Sequence, residues 1–319
     1  MKKIVSILVG LALTVGLVGC GSNAPKKTAE DLKKQETKYT AYANKDALIS
    51  ATDAKGMLDK GGKIALLDVR SGADYTLGHA KGAINIWRPD FESKNFPYGG
   101  MAIEKEGMEK LLGSLGIDNE TKILIIDGAA EMDAARVWWI LDMYGYKNVA
   151  LVDGGFAGWK AAGLETTIAK PEIKATEFKF PGETDKSKFA SLEDVKAAKD
   201  NKDVVILDTR SIEEATGKDL KKGAFRKGRI PGAVWLEYKK AVGEDSTFKT
   251  AEELKKLFEE KGITPDKTII PYCQSAVRSA HTTFVLTELL GYKNVKNYDG
   301  SWIEWSYNKD LPVEEGEIK

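Results

Sequence analysis

The residues best suited to chemistry are a cysteine and an arginine in one short stretch, Tyr272-Cys273-Gln274-Ser275-Ala276-Val277-Arg278-Ser279. An apolar run, Thr268 to Pro271, precedes it. The apolar spacing of Ala280 to Leu290 after it predicts a helix, so the thiol falls where a strand turns into a helix. The first N–H groups of a helix lack internal partners and carry partial positive charge, and Arg278 adds a full one. Both stabilise a thiolate at Cys273, the form of cysteine that acts as a nucleophile. The polar neighbours Gln274 and Ser275 argue against a cysteine buried only for packing.

A general base is missing from this picture. The chain has two histidines. His281 lies eight residues past Cys273, about 12 Å along a helix axis, and reads as packed or solvated. His79 belongs to another part of the chain. A reaction in which the thiolate displaces a stable anion needs no such base. It needs a cradle for negative sulfur, which successive N–H groups at a helix start provide.

The chain begins with Lys2 and Lys3 before an apolar run, Ile4 to Val18, that suits a secretory signal better than a spanning helix. It closes on Leu17-Val18-Gly19-Cys20, which resembles the lipobox of bacterial lipoproteins. The resemblance implies lipidation at Cys20 after removal of the leader, and a protein anchored at the extracytoplasmic face of the cell membrane. A plain cleaved signal or an uncleaved anchor are the alternatives. The chain has two cysteines, so with Cys20 lipidated Cys273 is the remaining thiol and no internal disulfide forms. Residues 21–45, rich in Lys, Ala, Thr and Asn, read as a solvated tether. Basic and acidic residues balance at 48 each, which gives no reason to expect nucleic acid as a partner. The scattered histidines argue against a metal site, and the chemistry calls for no cofactor.

An internal repeat organises the rest. Gly145-Tyr146-Lys147-Asn148-Val149 recurs as Gly291-Tyr292-Lys293-Asn294-Val295, an offset of 291 − 145 = 146. Asp153-Gly154 meets Asp299-Gly300 and Trp159 meets Trp305 at the same offset. Upstream, Leu67-Asp68-Val69-Arg70 recurs as Leu207-Asp208-Thr209-Arg210. Such a period means two copies of a domain, not a stack of short repeats. Each copy alternates β-rich runs (Ile64 to Val69, Ile123 to Ile126 and Val149 to Val152, then Val204 to Asp208, Thr268 to Tyr272 and Val295 to Tyr298) with helical ones. This predicts an α/β fold, each domain a mostly parallel sheet flanked by helices, with ligands at the carboxyl ends of the strands. Residues 46–165 form the first domain, 166–188 a linker and 189–319 the second domain.

Asp68-x-Arg70 with Gly78-His79 and Gly82-Ala83-Ile84-Asn85, Asp208-x-Arg210 with Gly228-Arg229-Ile230-Pro231-Gly232-Ala233, the Cys273 loop and the closing Asp-Gly turns together resemble the tandem rhodanese family of sulfurtransferases. The resemblance spans about residues 46–311. It implies that Cys273 carries a persulfide taken from a small anionic donor, thiosulfate or 3-mercaptopyruvate, and passes it to a thiol or cyanide acceptor. It also implies that Arg278 closes the loop, with Ser275 and Gln274 beside the donor. Arg210 and Arg229 are candidates to hold the donor, and Arg226 is a substitute. Asp208 and Asp68 read as structural partners of their arginines, and Arg210 reads equally well in that role. Many relatives have glycine at Ala276, so a positive φ there would be strained. Glu213 and Glu214 stand where relatives use arginine.

In the first copy 273 − 146 = 127 gives Asp127, which cannot carry a persulfide. Asp127, Glu131 and Asp133 would repel an anionic donor, so the first domain is expected to be silent. Trp138, Trp139, Trp159 and Trp305 read as core or interface, and Trp235 as packing or a wall of the cleft mouth. Cysteine phosphatases and arsenate reductases also place a thiolate in an anion loop, but with five residues between Cys and Arg, where this chain has four. A non-catalytic module binding sulfur anions or a protein is the other alternative.

Overall fold

A computed structural model describes residues 37–128, 130–199 and 201–318. The expected leader, Cys20 and the tether as far as residue 36 lie outside the described residues. Among the described residues no helix is long and apolar enough to cross a membrane.

The first domain is a five-stranded parallel sheet in the order β1 (Leu48–Ile49), β6 (Val149–Val152), β5 (Lys122–Ile126), β2 (Ile64–Asp68), β4 (Ile84–Asn85). Its central strands are apolar without alternation, which suits a sheet covered on both faces: Leu66, Leu67 and Ile123 to Ile126 are all essentially inaccessible. In the second domain β9 (Val204–Asp208) lies between β10 (Val234–Trp235) and β11 (Thr268–Tyr272), again parallel. A parallel bridge from Ile269 to Val295 links β11 to the pair β12 (Asn297–Tyr298) and β8 (Phe189–Ala190). The strand order therefore repeats, and Asp127 and Cys273 each follow the strand at the same place, past β5 and β11.

The helix after each of these loops, α4 (Met132–Met143) in the first domain and α9 (Val277–Phe284) in the second, packs against the other. That contact explains why both are buried nearly all round: one side faces the domain's own sheet, the other faces the second copy. Trp138 stands edge-on to Phe284 at 4.9 Å between centroids, and a single hydrophobic core runs through both domains. Arg136 of α4, only 1% exposed, pairs with Asp299 across the interface at 2.7 Å and donates to Gly100 O. Asp299 also accepts the Ala102 N–H at 3.0 Å.

One expected boundary is corrected. Residues 37–45 do not belong to a solvated tether. Lys38 Nζ donates to Asp153 Oδ2 at 2.8 Å and to Thr247 Oγ1 at 3.0 Å, one partner in each domain. Tyr42 is buried in the shared core with its hydroxyl on Lys249 O. The composition of the segment hid the two tyrosines that fasten it. Residues 166–188 connect the two domains and pack on the first. Thr166–Thr167 pairs antiparallel with His79–Ala80, and Phe178 and Phe180 pack against Tyr146 and Tyr144 in the first domain's core. The segment passes so close to α3 (Lys105–Ser114) that a Cβ at Gly113 would stand 2.7 Å from Thr176 O.

Removing one member of a buried ion pair leaves the other charge uncompensated, a loss of about 3–5 kcal/mol. Arg136→Ala is expected to lower unfolding stability by about that amount in urea titration. A change within the ±0.5 kcal/mol typical of surface positions would show that the interface does not depend on this pair.

Candidate active site

Cys273 is placed by the end of β11 and by the backbone of α10 (Ser301–Tyr307), whose Trp302 and Ile303 N–H groups donate to Cys273 O and Gln274 O. Ser301 ties the loop from below. Its hydroxyl donates to Tyr298 O and accepts the N–H groups of Cys273 at 3.2 Å and Ala276 at 3.1 Å. With those two amides engaged, the N–H groups of Ser275 and Ser279 point at the sulfur, and the Ser279 hydroxyl donates to Sγ at 3.8 Å. The bend requires φ +55° at Ala276, the left-handed region that a glycine would occupy without strain.

Cys273 is 1% exposed. Burial alone pushes its thiol pKa up, yet the Arg278 charge and the hydrogen bonds from Ser279 and Ser275 together bring it below the ordinary value. Arg278 is itself held by Glu214, with Nη1 at 2.6 Å and Nη2 at 2.9 Å from the two carboxylate oxygens. Glu214 is buried, which disfavours its charge, but the arginine outweighs this and keeps its pKa low. The residue that appeared to interrupt an arginine pattern is the anchor of the loop arginine.

A cleft of about 450 Å³ opens over the loop and reaches Cys273, Gln274, Ser275 and Arg278. Five basic residues line it (Arg88, Lys221, Lys222, Lys239 and Arg278) against two acidic ones, Glu214 and Glu237. Gln274 Nε2 donates to Lys222 O at 3.3 Å. Gly100 of the first domain abuts the loop at φ +93°, and a Cβ there would lie 2.5 Å from Ser275 Cβ. Tyr238, Ser301 and the three lysines were not singled out by sequence. Arg88 was also missed. It reaches the cleft from the first domain and pairs with Asp133 through Nε at 2.6 Å and Nη2 at 3.0 Å.

The other candidate arginines do not join this site. Arg210, 1% exposed, donates to both Asp208 oxygens and to Gly228 O, and lies 4.7 Å from the Trp302 ring. Tyr272 OH completes the pair by donating to Asp208 at 2.7 Å. Asp68 and Arg70 form the matching pair in the first domain. Arg229 is spent on Glu314 and on the carbonyls of Ala215 and Gly316. Arg226 donates to the carbonyls of Trp305, Ser306 and Asn308 at the end of α10. The cations around the cleft therefore replace Arg210 and Arg229 as groups within reach of a donor. Trp235 donates its indole N–H to Arg210 O and does not line the cleft. His281 packs against Phe248 and Tyr238, and burial pushes its pKa down to about 3. His79 sits between the carbonyls of Tyr75 and Ala169.

The first domain's loop corrects the expected repulsion. Asp127 occupies the cradle with its own carboxylate, which accepts the N–H groups of Asp133 and Ala134. Burial, reinforced by the Asp133 charge, pushes its pKa up to about 8. Burial also raises Glu131 far above the usual range, and Asp133 is paired with Arg88. The anion cradle of this loop is filled from within by the Asp127 carboxylate, and three free charges do not line it. Among the described residues no group of acidic, histidine or cysteine side chains is arranged to hold a metal ion.

Residues 50–162 and 191–308 both match the rhodanese-like domain. Over 282 residues the chain is 37% identical to a Saccharopolyspora erythraea protein named "Putative thiosulfate sulfurtransferase", covering 85% of this chain and 97% of that one. It is 36% identical over 287 residues to "Sulfur carrier protein TtuD" of Thermus thermophilus, with 86% and 99% covered. In fold it resembles EanB in complex with ergothioneine (TM-score 0.79, 22% identity, 86% of this chain and 71% of that chain). It also resembles YnjE (0.77, 24%, 87% and 70%). The chain belongs to the rhodanese family and carries two copies of its domain.

Two outcomes follow from the electrostatics. Arg278→Gln removes the nearest cation, so the pH midpoint for alkylation of Cys273 by iodoacetamide should move to higher pH, by about one unit or more. An unmoved midpoint would contradict the assignment. For Asp127 the folded pKa lies above the unfolded value of 3.8. The folded state then binds the extra proton, and stability falls as pH rises from the unfolded value through about 8. Asp127→Asn abolishes that loss. Its advantage over wild type in urea midpoint should grow from pH 4 to pH 8, and a constant difference would contradict the shift.

Proposed function

We propose that this protein is a sulfurtransferase in which Cys273 takes a sulfur atom from thiosulfate, or from 3-mercaptopyruvate as its C–S bond breaks and pyruvate enolate leaves, and passes it to a thiol or cyanide. The observation that carries the reading is a thiol whose pKa is lowered by Arg278 and the loop amides at the edge of a cationic, open cleft. With thiosulfate, the Cys273 thiolate attacks the outer sulfur. The bond between that sulfur and the sulfonate sulfur breaks, and its electron pair leaves with sulfite. The product is a Cys273 persulfide anion, whose terminal sulfur is then taken by the acceptor as Cys273 returns to the thiolate. No proton moves in the loading step, in keeping with the absence of either histidine from the cleft lining. The loop amides hold the persulfide's negative charge as they held the thiolate's. The names of the relatives at 36–37% identity support the same class of reaction.

Phosphoryl chemistry is less well served. Four residues separate Cys273 from Arg278, and the Nη1–Nη2 edge of Arg278 faces Glu214 and not the space above the thiol. The proposal also places the protein at the extracytoplasmic face of the cell membrane through a lipid on Cys20. That part rests on the apolar leader and the Leu17-Val18-Gly19-Cys20 tetrapeptide.

Full-length protein given thiosulfate and cyanide is expected to form thiocyanate, and Cys273→Ser to lose this by at least about a thousandfold. Turnover retained by the serine variant would contradict the proposal. So would a wild type that hydrolyses p-nitrophenyl phosphate and transfers no sulfur.

A further inference from the structure

We infer that Arg88, carried by the first domain, is the group that seats the sulfonate end of the sulfur donor, so that the silent copy supplies part of the second copy's donor specificity. The inference rests on the sulfurtransferase reading and adds a residue to it.

Arg88 stands four residues past the start of β4. The corresponding strand of the second domain is β10, and 234 − 84 = 150 places Tyr238 at the matching position. Both residues line the Cys273 cleft, one from each copy, so the cleft is built from the same point of the repeat twice. The second copy presents a phenol there and the first a permanent cation.

The arginine is held for recognition. Asp133, in the first turn of α4, takes Nε and Nη2 in a bidentate pair. The turn carrying Arg88 is stiffened by Pro89 and by Asp90, whose carboxylate accepts the Trp87 N–H at 2.7 Å. Among the described residues Nη1 of Arg88 has no protein partner, and one third of the side chain is exposed. Arg278 differs, since Glu214 engages both of its Nη atoms. Of the two arginines in the cleft, Arg88 is the one with a terminal nitrogen that no carboxylate engages. A planar guanidinium edge matches two oxygens of a sulfonate, which the flexible lysines of the rim do not.

The position also suits the reaction. As the thiolate attacks, negative charge builds on the departing sulfite, at the end of the donor remote from Cys273. A cation held there by the first domain favours both binding and departure. The donors selected are those with a strong acid group adjacent to the transferable sulfur. Discharge of the persulfide to an uncharged thiol has no such group, so Arg88 contributes less to it than to loading.

The test separates the two half-reactions in full-length wild type, Arg88→Gln and Arg88→Lys. The glutamine variant should load sulfur with a thiosulfate KM raised about tenfold or more, and the lysine variant should recover part of the loss. Discharge of the preformed persulfide to 2-mercaptoethanol should stay within about twofold of wild type. A thiosulfate KM unchanged in Arg88→Gln overturns the inference. An equal loss in both half-reactions, as expected of a purely structural residue, also overturns it. A wild type that loads no sulfur from thiosulfate removes the reading underneath it as well, which distinguishes the two failures.

Discussion

Keeping a negative sulfur charged while almost wholly withdrawn from water is the constraint on which the rest of this structure depends. Burial disfavours the thiolate at Cys273, and what offsets it is distributed over three parts of the chain. Arg278 brings the charge, Glu214 fixes Arg278, and Ser301 bends the loop so that the remaining amides face inward. The strained φ at Ala276 belongs to the same arrangement, because only a left-handed residue there turns the chain into α9 with the amides still directed at the sulfur.

The first domain shows what becomes of the same loop when the sulfur is replaced. A carboxylate at position 127 accepts the amides intended for an exogenous anion, and its burial shifts it toward the protonated form. Duplication left this copy with other work. Its helix α4 completes the core beneath α9, Arg136 locks Asp299, and Gly100 and Arg88 shape the wall and charge of the working cleft. Without a nucleophile of its own, the domain still contributes to the cleft.

Much of this was legible in the sequence because the repeat gave each strand a second witness. The offset of 146 places Cys273 and Asp127 after equivalent strands, and the apolar runs mark the buried parallel sheets. The Asp-x-Arg pairs were visible as motifs, but whether Arg210 faced a ligand or its own aspartate depends on side-chain direction at the strand end, which spacing does not encode. Arg229 and Arg226 sit close in sequence to the expected site, yet they turn toward the chain's C-terminal end. Arg88 lies 185 positions before Cys273 in the other copy, and only the packing of α4 on α9 brings it into the cleft. Lys38, Tyr39 and Tyr42 were absorbed into a polar composition that concealed their contacts with both domains.

The central claim is that one sulfur atom comes to rest covalently on Cys273. Mass spectrometry of the intact protein after brief exposure to thiosulfate and removal of the excess tests it most directly. The expected result is a gain of a single sulfur, mapped to the peptide containing Cys273 and released by a thiol. An unchanged mass, or added sulfur on any other residue, would contradict it.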